Sequence, residues 1–386
     1  MMIDRDYLTK TLIELVSINS INPSLVADGN GEAEIGAYAA QAMQALGLEV
    51  SLDDVAPGRV NAVGVRRGAD AGAPTLLLNA HMDTVGINGM ERPFSPEIRQ
   101  GRLYGRGSQD MKGSIAAMLS AVKALNEAHI TLGGDLIIAL VADEEYGSLG
   151  MEDVVRRYCA DAAIVTEPTD LELALAHRGF IGFEVETIGK AAHGSRYQEG
   201  IDAILHMGRF LHELAGLEQE LRQRDPHPLV GTPSLHTSII RGGTEMSTYP
   251  AQCYLMIERR TNPGETVAQA EGEIQALLDR CAKEVPAFQG RLRTFMHRPP
   301  FEVSSQSAIA QVAAQVMQKH LQRPIQPRGA SFWTDAAILA EAGVPSILLG
   351  PHGYGLHSAE EWVELDSCVK LAHILADIAV QFCTVA

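Results

Sequence analysis

Three apolar runs in this chain end abruptly in residues that bind cations. TLLLNA, at 75–80, runs into His81-Met82-Asp83. DLIIALVAD, at 135–143, runs into Glu144-Glu145, and AIVT, at 163–166, runs into Glu167-Pro168. A fourth cluster, GRGSQDMKG at 105–113, places Asp110 just ahead of a helical stretch at 114–128. Strands that are apolar at nearly every position are buried on both faces, as in α/β sheets covered by helices. In such sheets ligand crevices open where strands end along one edge. Acidic side chains massed at that edge repel one another unless a cation neutralises them.

The organisation of the rest follows from changes in periodicity. Residues 4–17 carry apolar residues at helical spacing, and Asn22-Pro23 stops that helix. LEVSLDD, VNAVGVRR and PTLLLNAH read as strands, with a further helix at 150–158. Near residue 177 the style changes, because 179–189 alternates apolar and polar and so predicts a strand with one wet face. Helix 201–224, strands 234–241 and 251–260, helix 265–284 and strand 291–298 follow. That β-α-β-β-α-β order is the pattern of a small open-faced α+β domain. After Pro299-Pro300 the buried style resumes, with helices 305–321, 334–342 and 366–383 and the apolar strand VPSILLG at 344–350. The expected fold is α/β, a mixed sheet covered by helices on both faces and built from residues 1–176 and 297–386. An α+β domain at 177–296 is inserted into it.

Charge narrows the partners. Acidic residues outnumber basic ones 48 to 31, a formal charge of −17, which disfavours nucleic acid and anionic membrane surfaces. Five scattered cysteines without a CxxC read as free thiols of a reducing compartment. With no signal-like start and no apolar run of spanning length, the expected location is cytoplasmic.

His, Asp and Glu without Cys suit zinc, cobalt or manganese. Two such ions sharing a carboxylate would acidify water and polarise a carbonyl, and one member of Glu144-Glu145 could stay free as proton acceptor. Singly, each cluster has a bland reading: a hydrogen-bonded His-x-Asp, a solvated Glu-Glu, a Glu-Pro turn. Their joint occurrence at strand ends favours a metal site, which His357 in GLHSAEEW could complete. Nucleotide, zincin and serine-hydrolase readings fail. Gly105-x-Gly107-x-x-Asp110 would present a carboxylate to a pyrophosphate, Gly216 stands where HExxH needs its second His, and there is no GxSxG.

HMDTV at 81–85, GRGSQDMKG at 105–113, DEEYGS at 143–148, TEP at 166–168, GKAAHGS at 189–195 and GLHSAEE at 355–361 occur in this order. Together they resemble the acetylornithine deacetylase, succinyl-diaminopimelate desuccinylase and aminoacylase family of two-metal amidohydrolases and exopeptidases. The resemblance spans essentially the whole chain. It implies that Asp110 bridges two divalent ions, Zn2+ first, with Co2+ or Mn2+ as substitutes. His81 and Glu167 would complete one shell, and Glu145 and His357 the other. Asp83 would hydrogen-bond the far nitrogen of His81, Glu144 would be the general acid/base, and the Asp110-Met111 peptide would be cis. The reaction implied is attack of metal-bound hydroxide on the amide of an N-acyl-L-amino acid, acetylornithine deacetylase-like, or in the alternative a di- or exopeptidase cleavage.

The resemblance also makes 177–296 a lid and homodimerisation domain. There His193 would reach the oxyanion from a partner's lid and Arg260 would grip the substrate carboxylate. Read from the residues alone, His193 could instead cap the turn into helix 201–224. Arg260 could pair with Glu258, and Arg259 is a rival for its role. Ser247 stands where many members carry Asn, and His352 and Tyr354 could give the pocket its own selectivity.

Overall fold

The computed structural model describes residues 1–384 and divides into two compact units. The first comprises Met1–Leu175, Val303–Arg328 and Thr334–Ala386; the second comprises Ala176–Glu302 and Gly329–Trp333. The second unit runs past residue 296 because strand Gln289–Arg298 pairs along Gly179–Ile188 to its last residue, Arg298 opposite Phe180.

In the first unit the strand order is Glu49–Ala56, Arg59–Arg66, Leu136–Val141, Leu76–His81, Ala162–Val165, Ser346–Leu348, followed by Ala174. The four strands Leu136–Val141, Leu76–His81, Ala162–Val165 and Ser346–Leu348 run parallel and are buried at every position. Their near-continuous Leu, Ile, Val and Ala content reflects helices lying on both faces. The two outer strands join antiparallel, so the sheet is mixed. Helices Arg5–Ser17, Gly113–Glu127, Ala308–Leu321 and Leu365–Phe382 pack on one another, while Ala33–Ala45 packs on Glu49–Ala56 and Arg59–Arg66. Ala33–Ala45 is not anticipated from the sequence. Its buried stripe is Ile35, Gly36, Ala39, Ala40 and Met43, and Gly36 is tight enough that a Cβ there would lie 2.7 Å from Val60.

The second unit is a four-stranded antiparallel sheet ordered Ser234–Gly242, Gln252–Thr261, Gly179–Ile188, Gln289–Arg298. Helices Ala203–Gln223 and Val267–Glu284 cover it. Ile181, Phe183, Val185, Leu255 and Ile257 of the sheet meet Phe210, Leu214, Ile274 and Leu277 of the helices in one buried cluster. Each such side chain contributes about 1.5–3 kcal/mol by burial. Both helices start cleanly, the first capped by Asp202 and the second by a capping box between Thr266 and Gln269. Among the described residues no helix is long and apolar enough to cross a membrane.

Candidate metal centre

The parallel strands of the first unit deliver their C-terminal ends, and the residues just beyond them, to one place. His81 is the last residue of Leu76–His81, and Glu167 lies two residues past Ala162–Val165. Gly350 lets the chain close over Glu167, since a Cβ there would stand 2.0 Å from the Glu167 carbonyl oxygen. Glu144 and Glu145 follow Leu136–Val141 through Asp143, whose φ of 68° turns the chain sharply. Asp110 sits in the turn Ser108–Lys112 ahead of helix Gly113–Glu127, and the Asp110-Met111 peptide is cis. His357 comes from the loop joining strands Gly353–Tyr354 and Trp362–Glu364.

The two carboxylate oxygens of Asp110 face different histidines. Oδ1 lies 2.9 Å from His81 Nε2, and Oδ2 lies 3.4 Å from His357 Nε2. Glu167 Oε1 stands 3.9 Å from His81 Nε2, and Glu145 Oε2 stands 3.1 Å from His357 Nε2. Six sequence-predicted residues, His81, Asp110, Glu144, Glu145, Glu167 and His357, thus converge. Donor atoms of His81, Glu144 and Glu167 lie within 4.8 Å of one another, as do those of His81, Asp110 and Glu145.

The charges of this cluster do not balance unaided. Burial, reinforced by Glu167, holds the Glu144 carboxyl well above the usual range. Burial likewise raises Glu167 and Glu145, with Asp110 adding to both. Burial of His81 favours its neutral ring, but the bond to Asp110 and the field of Glu167 hold its proton well above the ordinary value. His357 is raised to about 10 by its bonds to Asp110 and then Glu145. Protons are held where positive charge is needed, the behaviour of a donor set shaped around cations. Glu145 Oε1 is buried without a hydrogen-bond partner, which also fits a ligand atom. The residues present therefore fit divalent metal ions.

A buried layer supports the cluster. Asp83 differs in detail from expectation. Its main-chain carbonyl, not its carboxylate, takes His81 Nδ1–H at 2.9 Å, the nearest carboxylate oxygen standing at 3.6 Å. A carbonyl only accepts, so Nδ1 carries a proton and Nε2 is left to face a cation. The Asp83 carboxylate is taken by stronger competition: the N–H groups of Glu144 and Glu145, each at 3.2 Å, and Asn22 Nδ2 at 2.8 Å. Asn22 also donates to Asp143 at 3.0 Å, and Arg59 binds Asp143 at 2.9 Å and Glu32 at 2.6 Å. Asn22, Glu32 and Arg59 lie outside the recognised segments, and Asp143, the first residue of DEEYGS, was not singled out from sequence. On the far side Arg106 and Glu361, both inside the recognised segments GRGSQDMKG and GLHSAEE, form a second buried pair at 2.6 Å. Nearby, His352 Nδ1 bonds Asp170 at 2.7 Å and Tyr354 stacks on Trp362.

Two predicted residues belong to the second unit. His193 is exposed, and its Nδ1 accepts from Ser195 N–H at 3.2 Å, which leaves the proton of the neutral ring on Nε2. It does not cap the following helix, whose N-terminus is satisfied by Asp202 on Leu205 N at 3.0 Å. Its segment is pinned by Gly194 N–H on the Ser247 carbonyl at 2.7 Å. Arg260 pairs with Glu258 at 2.5 Å and lies over Phe180, yet stays about a third exposed. Arg259 is buried and committed to Glu265 at 2.6 Å and Glu273 at 3.4 Å, so Arg260 is the accessible one of the two.

The sequence model of peptidase family M20/M25/M40 matches residues 77–381. An acetylornithine deacetylase of Myxococcus xanthus is 28% identical over 389 residues, covering 97% of each chain. An N-formyl-4-amino-5-aminomethyl-2-methylpyrimidine deformylase of Bacillus subtilis is 29% identical, covering 91% of this chain and 89% of its own. Among solved structures, an aminopeptidase PepT from Bacillus cereus superposes with a TM-score of 0.83 at 20% identity, over 99% of this chain and 100% of that one.

Proposed function

The chain belongs to peptidase family M20/M25/M40 and is a metal-dependent amidohydrolase or exopeptidase; within that class we propose that it removes a small acyl group from an N-acyl-amino acid or a related N-acylated amine. The observation that carries the metal site is the Asp110 carboxylate, with one oxygen toward His81 and the other toward His357. That geometry supports assigning one ion to His81, Asp110 and Glu167 and a second to Asp110, Glu145 and His357. Zinc is the first choice of ion, with cobalt or manganese as substitutes for the same ligands. Two such ions, when bound, supply a water acidified to near neutral pH and polarise the carbonyl of the scissile amide.

Glu144 is the proton carrier. It is half-buried and lies beside His81 and Glu167, and its main-chain N–H is fixed by Asp83. Its carboxylate takes a proton from the attacking water as the new C–O bond forms. It then gives a proton to the amide nitrogen, so that the C–N bond breaks and a neutral amine leaves. Asp83 keeps His81 Nε2 turned to the ion, and its carboxylate aligns the Glu144-Glu145 turn. His193 as oxyanion donor from a partner subunit and Arg260 as carboxylate grip rest on the family resemblance alone, as do the lid and dimerisation roles of 177–296.

The deacylase reading is favoured because both sequence relatives named above are, by name, enzymes that remove an acyl group from an amine. The peptidase reading draws on the fold of the aminopeptidase neighbour. Zinc-loaded protein incubated with a pool of acetyl, formyl, succinyl and carbamoyl amino acids and simple dipeptides, followed by mass spectrometry, separates them. Cleavage confined to acylated amines is expected, and cleavage of dipeptides alone would replace this reading with the peptidase. Glu144→Gln is expected to keep its metal and lose about 10²–10⁴-fold in kcat. Wild-type turnover in that variant would remove Glu144 as the proton carrier.

A further inference from the structure

Arg106 and Glu361 form an ion pair that the proposed chemistry does not use, with each side chain 1% exposed. A buried pair of this kind is a poor stabilising device, because desolvation cancels most of its attraction. Its bonds are directional, however, and they run to two separate segments of the site. Glu361 Oε1 accepts from the main-chain N–H groups of Gln109, at 2.9 Å, and Asp110, at 3.2 Å. Oε2 accepts from Gly107 N–H at 3.0 Å and from Arg106 Nη1 at 2.6 Å. One acid four residues after His357 therefore holds the turn that carries Asp110.

Arg106 completes the link in the other direction. Its Nη2 donates to the carbonyl of Ser358, next to His357, at 2.8 Å, and its Nε donates to the carbonyl of Gly86 at 3.0 Å. Asn88, two residues beyond Gly86, donates through Nδ2 to the His357 carbonyl at 2.7 Å. His357 itself sits at φ 59°, a backbone conformation uncommon for a side chain of its size, with half of its ring exposed. No strand pairing carries it, so its direction depends on these contacts.

We propose that Arg106 and Glu361, with Asn88, are positioning residues that register His357 Nε2 against Asp110 Oδ2 and so assemble one half of a two-cation site, the half containing His81 and Glu167 being set by the sheet. This inference rests on the two-cation reading above. It makes the halves distinguishable: loosening the clamp weakens the His357 cation more than the His81 one. Partners that orient metal ligands without touching the ion are worth about 10–100-fold in metal affinity.

The test uses full-length protein stripped with a chelator and titrated with Zn2+ or Co2+. Bound metal is counted by mass spectrometry after equilibrium dialysis, and Co2+ absorbance reports ligand geometry. Wild type is expected to bind two equivalents. Glu361→Gln keeps the size of the side chain but turns an NH2 toward Arg106 or the main-chain donors. It is expected to weaken the second equivalent about 10–100-fold and the first by less, because His81 and Glu167 stay fixed by the sheet while the Asp110 turn is shared. Asn88→Gly, at an exposed position with φ 48°, removes one contact and keeps the backbone comfortable; it is expected to weaken the second equivalent alone, by less. If Glu361→Gln fails to fold, Asn88→Gly decides. Wild-type affinity for both equivalents, or equal weakening of both, overturns the clamp. Fewer than two equivalents in the wild type overturns the two-cation reading itself, so the two failures are distinguishable.

Discussion

His81 and His357 reach the same carboxylate from different kinds of backbone. His81 ends a strand that is buried at every position and bonded on both sides, and its side chain is 1% exposed. His357 lies in a loop at positive φ, with 52% of its side chain exposed. Main-chain hydrogen bonds place the first. Side chains from distant segments, Asn88 and Arg106, place the second, and Glu361, four residues further on, ties Arg106 to the Asp110 turn. A ligand on a sheet inherits the rigidity of the core, whereas a ligand on a loop needs buried polar partners of its own.

The largest expected effect comes from breaking what the halves share. Asp110→Asn removes the negative charge between the histidines. Activity is expected to fall at least about a thousandfold, since metal charge stabilisation is worth several kcal/mol and each 1.36 kcal/mol is tenfold in rate. Metal analysis of the same variant should find both equivalents weakened; retention of two tightly bound ions would deny Asp110 its bridging place. A sharper contrast compares His81→Ala with His357→Ala. The first should lose one cation and also stability in thermal melts, because it empties a buried position. The second should lose one cation with a smaller fall in melting temperature, because its side chain is half exposed, and equal destabilisation by both would erase the distinction between sheet-held and loop-held ligands.

The smallest effect is a pH dependence of the metal-stripped protein. His357 is raised to about 10 in the fold from an ordinary 6.5, so its stabilisation is fully present below about pH 6.5 and is lost as pH rises through about 10. Burial raises Glu144, Glu145 and Glu167, and each likewise loses its contribution as pH climbs above the ordinary carboxylate range. The melting temperature of stripped protein should therefore fall between pH 6.5 and 10, and added zinc should flatten the slope by taking the place of the protons. A flat profile without metal would mean that these groups are not charge-starved.

The candidate ligand residues were legible because the fold puts them where hydrophobicity stops. A strand that must be apolar on both faces announces its end, and His81, Glu144-Glu145 and Glu167 stand at those ends. Their supports were harder to read. Asn22, Glu32 and Arg59 come from segments far from Asp143 in sequence, and only the fold brings them to it. Arg106 and Glu361 lay inside recognised segments, yet nothing in a string says that an acid will accept three main-chain N–H groups. The bond from His81 to the Asp83 carbonyl has no side-chain signature at all. Helix Ala33–Ala45 escaped because its buried stripe is built largely of alanine and glycine, which carry little hydrophobic contrast.

The account stands most directly on where cations bind around Asp110. Anomalous diffraction at the zinc edge from crystals grown with the metal would locate them. The prediction is two ions about 3.5–4 Å apart, the spacing of two-metal hydrolytic sites, one on Oδ1 with His81 and Glu167 and one on Oδ2 with Glu145 and His357. A single ion held by His81, Glu144 and Glu167, with Asp110 and His357 left paired to each other, would contradict it.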